Sequence, residues 1–544
     1  MSDQEKPKFQ VHIKPQFDEA QQAVRLDIVL TIESLELDGG STIVSFPSII
    51  KPTISENGIK FTDEKGELST VHKALDNNTS TSWVATRQTV GEVKLKYSVR
   101  PSSDKTSLGL YRDYGGLLGS GLACIPTPAA NTIYQNIVEW DLSEAPEGTR
   151  AVWTFGEGPA RVERVGPSCT LSDSVYMVGR IHSNPPTSIP GTISDYYGYY
   201  WFGNLPPNIE VIKEMHHGFF LKICEFFEET PSKANPYRSF VRNTGSRTSF
   251  VGTSFTRSHI FEYDDQIAEA EDYDLVRRSA YEMAHNWLGP PITDGIDWLY
   301  EGIKNALSVY FPFRNKFRTG HYFQATISML CTRYYTNPLV NLPQDELLKL
   351  VPTNNYAKEL LLARAWAFIV SMDIRTRWLA IGKITRPIED LAIKPFSKRR
   401  AYGEAHGIEE WIELLEPLLG KETRERYEEM LSGKVITMDV RLFGAKTHTL
   451  KQVDQEILDF GMDRESFEEG VVKGLKAGSR AGQAGLEEGD RIVKSSYLWR
   501  CVDHFEEQMK VIVERDGVET EIKYWPRGFE MVKSWQMVKL DEEH

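Results

Sequence analysis

With 544 residues, 40% of them apolar and 26% charged, the chain has ordinary globular composition and is long enough for three or four domains. Its formal charge of −14 argues against nucleic acid or an anionic membrane surface as the main partner, and no apolar run is long enough to cross a bilayer. The opening MSDQEKPKFQVHIKPQF has no basic n-region followed by an apolar h-region, and the five cysteines form no C-x-x-C pair. A cytoplasmic protein with reduced, mostly buried thiols is therefore expected.

The first third reads as β structure. AVRLDIVLTIESL alternates apolar and polar from Val24 to Ile32, and GEVKLKYSVRP repeats the pattern, with turn clusters such as LDGGS and DNNTSTS between such runs. From about Pro206 the period changes. NIEVIKEMHHGFFLKICEFFEE has helical spacing, whereas YRSFVRNT and TSFTRSHIFEYDD look like short strands. Beyond Asp272 amphipathic helices dominate to about Gly433: DLVRRSAYEMAHNWL, YEGIKNALSVYF, ELLLARAWAFIVSMDIRTRWL and GIEEWIELLEPLL.

The last hundred residues change again. GSRAGQAGLEEGDRI places Gly478, Ser479, Ala481, Ala484, Gly485, Leu486, Gly489, Asp490 and Ile492 where small residues pack a short helix and a Gly-Asp pair turns into a strand. ERDGVE then offers a hairpin turn. The pattern resembles a PDZ domain, although LDFGMD is only loosely like the usual carboxylate-binding loop. The expected architecture is multidomain α/β: an N-terminal β domain (1–170), a mainly helical catalytic-fold domain (171–433) and a PDZ-like domain with a C-terminal tail (434–544).

One stretch carries chemistry. SAYEMAHNWLGP has the shape of H-E-x-x-H, with Tyr281 at the first histidine, Glu282 at the glutamate and His285 at the second histidine. Residues four apart share a helix face, so side chains 281 and 285 point the same way. Glu301, sixteen positions beyond His285, opens the next helical segment and stands where a third metal ligand would be expected.

AHNWLGP with WLYEGI resembles the gluzincin metallopeptidases. Within them the chain is similar to the glycyl-aminopeptidase-like family, which joins a β domain, a thermolysin-like domain and a PDZ domain; YWFGNLPP and FPFR are similar to its fungal members. The resemblance implies that His285 and Glu301 stand at zinc-ligand positions and Glu282 at that of the water-activating base. Tyr281 departs from the pattern, because a phenol binds zinc only after losing a proton with a reference pKa of about 10. So does Leu362, which stands in LARA where the family carries an oxyanion-stabilising tyrosine. The G-x-M-E-N strand of aminopeptidases is not recognisable.

The expectation is a repurposed enzyme, not a conventional aminopeptidase. It would act on a small molecule or modified substrate by acid–base chemistry (hydrolysis, cyclisation or isomerisation) through Glu282, Tyr281 and His285. The alternatives are an inactive pseudopeptidase that binds peptides or a protein partner, and a weak zinc-dependent hydrolase. His259, in RSHIFEY, and Tyr356 are candidate substrate-binding residues, and His259 could also replace the lost ligand. The cofactor expectation is none, or weakly bound zinc at His285 and Glu301. His216 and His217 cannot both face one site from a helix and are expected at the surface. The PDZ-like region is expected to bind a peptide or to dock within the chain.

Overall fold

The structure, a computed structural model, describes residues 6–540 apart from 48–52, 55–57, 75–79, 103–107, 131, 187–188, 246–249, 289–296, 381–385, 387, 402–406 and 439–447. Much of the DNNTSTS turn cluster and the Gly289-Pro290 end of the motif lie outside the described residues. The chain forms two compact units. One holds Met1–Lys213, Thr230–Ser246 and Phe250–Asp264; the other holds Glu214–Glu229, Arg247–Ser249 and Asp265–His544. The expected boundary near residue 170 falls within the first unit, and that near 433 falls within the second.

The first unit is β-rich, as the alternation implied. Strand Lys8–Phe17 pairs antiparallel with Ala23–Ile32 and parallel with Ile133–Trp140 in a seven-stranded sheet. Phe9, Val11 and Ile13 on one strand and Leu26, Ile28, Leu30 and Ile32 on its neighbour point into one core, while the residues between them remain at least partly exposed. The GEVKLKYSVRP run forms strand Val93–Val99. A separate five-stranded sheet takes the order Ile181–Asn184, Tyr197–Phe202, Tyr237–Asn243, Ser258–Tyr263, Phe250–Phe255. Its central strands are parallel, and both faces of Tyr197–Phe202 are buried. Arg242 and Glu262 face each other across adjacent strands as a buried ion pair at 2.6 Å.

The second unit contains the expected helices, Asp272–Leu288, Asp297–Arg314, Asn355–Leu379 and Ile408–Leu419, and a further helix that was not singled out, Gly320–Tyr335. Asn354 caps the long central helix by accepting from the Ala357 N–H at 3.1 Å. The second unit also takes up the helix Pro207–Phe227 from Glu214 onward. There His216 is buried, not at the surface as expected, because it lies on the helix's buried stripe with Ile209, Ile212, Phe219 and Ile223; His217 is half-buried.

The C-terminal part pairs His448–Leu458 with Arg527–Lys539 and adds a three-stranded sheet, Arg491–Ser495, Met509–Arg515 and Val518–Tyr524. Asp516 and Gly517, both at positive φ, make the two-residue hairpin turn expected from ERDGVE. A buried charge network ties this part to the helices. Arg333 donates to both carboxylate oxygens of Asp503, at 2.8 and 2.7 Å, and to Asp274 on the motif helix at 3.1 Å. Arg277 donates to the other oxygen of Asp274 at 2.8 Å, and these two guanidiniums hold the Asp274 carboxyl down at about 2 despite its burial. Cys124, Cys224, Cys331 and Cys501 are buried and Cys169 is exposed; all five are free thiols. Among the described residues no helix is long and apolar enough to cross a membrane.

Asp113, in the first unit, tests the burial account. It is 9% exposed and accepts from the Asn243 N–H at 3.1 Å, and burial pushes its carboxyl up to about 6. Between the unfolded value near 4 and this folded value, the native state holds a proton that the unfolded chain releases, so stability falls as pH rises through that window. Asp113→Asn should therefore stabilise the protein at pH 8 by about 1–3 kcal/mol and be neutral at pH 4, measured by urea denaturation at both pH values.

Candidate functional site

Two consecutive helices build the site. On Asp272–Leu288, the four-residue spacing sets Tyr281 and His285 on one face, with Arg278 one turn before Glu282. On Asp297–Arg314, Glu301 and Lys304 are three apart and meet. The second helix is placed by Gly302, where it lies close to the helix Asn355–Leu379. A Cβ there would stand 2.6 Å from the Ala365 carbonyl oxygen, so only glycine allows the approach. The glycine of WLYEGI thus sets the depth at which its neighbours Glu301 and Lys304 enter the cluster.

Lys304 stands at the centre. Its side chain is 2% exposed, and its ammonium donates to Glu301 Oε1 at 2.6 Å and to His285 Nδ1 at 3.1 Å. An ammonium has no acceptor, so His285 Nδ1 must present its lone pair, which places the proton of the neutral imidazole on Nε2. The same ammonium lies 4.9 Å from the centre of the Tyr281 ring, and the Arg278 guanidinium lies 5.2 Å from it. Glu282 is buried, with Oε1 3.0 Å from Arg278 Nε. Two cations and two carboxylates therefore balance within one cluster, as burial of charge requires. Glu301 Oε2 is itself buried and has no hydrogen-bond partner among the described residues.

Tyr281, Glu282, His285 and Glu301, picked out in the sequence, are thus brought together. The two residues that complete the cluster, Arg278 and Lys304, were not picked out. Their signal was present: each is a basic residue within one helical turn of a motif carboxylate, four before Glu282 and three after Glu301.

The other candidates have different surroundings. His259 belongs to the first unit, where it is buried and its Nδ1 lies 2.9 Å from the Tyr237 hydroxyl. Tyr356 packs against the C-terminal core: its hydroxyl accepts from the Phe460 N–H at 3.2 Å, and burial raises its phenol to about 12. Leu362, half-buried on the central helix, has no hydrogen-bond donor to offer in its side chain.

The donor set does not fit zinc. A structural or catalytic zinc takes three or four N, O or S donors at about 2.0–2.3 Å. Here the lone pairs of His285 Nδ1 and Glu301 Oε1 are directed at an ammonium, and Tyr281 offers the face of its ring. Among the described residues no group of three or more His, Cys, Asp or Glu side chains is placed to hold a metal ion.

No family model and no curated protein matches the sequence. Solved structures do match the fold. An aminopeptidase N family protein from Idiomarina loihiensis is similar over 98% of both chains at 14% identity, with a TM-score of 0.67. An M1 zinc metallopeptidase from Deinococcus radiodurans is similar over 80% of this chain and 96% of its own, at 13% identity and a TM-score of 0.50. The chain therefore has the fold of the M1 aminopeptidases, which are gluzincins, as the motif context implied. At this identity the likeness concerns fold alone.

Gly302→Ala should push the two helices apart and cost about 1–3 kcal/mol in urea denaturation, the range for overpacking at a tight contact.

Proposed function

We propose that the protein is a metal-independent enzyme on a metallopeptidase fold, acting on a small molecule or modified substrate by acid–base chemistry in the former peptidase cleft. One observation carries this reading: Tyr281, His285 and Glu301 meet at Lys304 and Glu282 pairs with Arg278, so all four polar motif residues remain in one charge-balanced cluster. In this reading the Lys304 ammonium polarises a substrate oxygen. Glu301, with an oxygen still open to a donor, accepts a proton or a hydroxyl hydrogen bond, and His285 Nε2–H donates. Hydrolysis, cyclisation and isomerisation all fit this equipment. Membership of the glycyl-aminopeptidase-like group, in its fungal form, is part of the proposal and rests on the WLYEGI and YWFGNLPP contexts. A cytoplasmic location is part of it too, resting on the scattered free thiols.

A second reading, a pseudopeptidase that binds without chemistry, is favoured by the Arg278–Glu282 ion pair, which engages the carboxylate that would otherwise serve as base. The PDZ-like region fits intramolecular docking better than peptide capture. In LDFGMD the Phe460 N–H donates to Tyr356 and the Gly461 N–H donates to Asp459 Oδ1 at 2.9 Å, so two loop amides that could receive a peptide carboxylate are engaged.

The test is a panel of aminoacyl p-nitroanilides, aryl esters and aryl epoxides, each assayed with and without EDTA. The enzyme reading expects turnover in a non-peptide arm, insensitive to EDTA and reduced about 100-fold or more by Glu301→Gln. Chelator-sensitive cleavage of a p-nitroanilide would contradict both readings, and binding to the panel without turnover would favour the second.

A further inference from the structure

We infer that Lys304 is a built-in replacement for the metal: its ammonium occupies the point on which the two remaining ligand positions converge and keeps divalent cations out. Three independent features support this. The first is geometric. His285 and Glu301 sit on different helices, and both direct a lone pair at one nitrogen, at 3.1 and 2.6 Å, as two ligands would at a shared ion. The nitrogen belongs to a side chain 2% exposed, so it does not drift through solvent between alternative partners.

The second is charge. Lys304 and Arg278 together supply two positive charges against Glu282 and Glu301, the same balance that a single divalent cation would give to those carboxylates. A metal entering beside the ammonium would face a like charge at contact distance and find two of its donors engaged.

The third is the tyrosine. Position 281 serves a metal best as an imidazole, since a phenol binds one only after losing its proton. An ammonium takes lone pairs too, as it does from His285 and Glu301, but it is in addition attracted to the face of an aromatic ring. Tyr281 provides that face to Lys304 at 4.9 Å and to Arg278 at 5.2 Å. The exchange of histidine for tyrosine and the presence of Lys304 are therefore two halves of one substitution, and Tyr281 is the wall of a cation site. This holds whether or not the cleft catalyses a reaction.

The full chain carrying Tyr281→His, or Tyr281→His with Lys304→Ala, is incubated with zinc chloride, desalted and assayed for zinc by elemental mass spectrometry and for a zinc-dependent rise in Tm. The inference expects almost no zinc in the wild type and the single variant, and about one zinc per chain in the double variant, where two donors are freed and a third is added. Near-stoichiometric zinc in the wild type or in Tyr281→His, or no gain in a folded double variant, would overturn it. Should the double variant not fold, a stability cycle decides. Lys304→Met alone should lower Tm sharply, and adding Glu301→Gln should restore most of the loss, since the pair is then removed together. Additive losses would overturn the inference.

Discussion

The site depends on a single buried ammonium. With Lys304 in place, Glu301 can be carried on a helix packed against its neighbours, His285 is fixed as one neutral tautomer, and the Tyr281 ring has a cation to cover. Without it, a half-buried carboxylate would stand beside the half-buried His285 imidazole with nothing to balance it, and burial of an unpaired charge is among the most destabilising changes a fold can undergo. The cluster holds together because a cation that is part of the chain stands between His285 and Glu301.

The frame around the cluster is rigid for reasons that are also local. Gly302 lets the Lys304 helix lie against the Ala365 carbonyl, which sets its depth. Asp274, at the start of the motif helix, is held by Arg277 from its own helix and by Arg333, whose other hydrogen bonds reach Asp503 near the chain's C-terminal strands. The motif helix is thus pinned near its beginning to the C-terminal part and near its end to Lys304. Such preorganisation is what a site of fixed charges needs, since its groups act by where they stand.

Much of this was legible in the sequence. Period-two alternation located Ala23–Ile32 and Val93–Val99, and helical spacing located the helices that carry Tyr281, Glu301 and Leu362, because burial of one face imposes those periods. Tyr281, Glu282, His285 and Glu301 were legible as a set, since a motif fixes residue types at positions that share a face. Arg278 and Lys304 were not picked out. A basic residue in an amphipathic helix ordinarily reads as solvated surface, and only packing reveals that Lys304 turns inward. His216 went the same way: adjacent histidines on a helix suggest a wet face until neighbouring elements cover it. The engagement of Tyr356 with Phe460 was hidden for another reason, since the two are more than a hundred positions apart and no local pattern links them.

The most direct measurement is a crystal structure of the full chain grown with zinc, with diffraction recorded on both sides of the zinc absorption edge. The account predicts density for the Lys304 side chain running unbroken to a nitrogen between His285 and Glu301, with no anomalous peak there. An anomalous peak at that point, with Lys304 turned away, would contradict it.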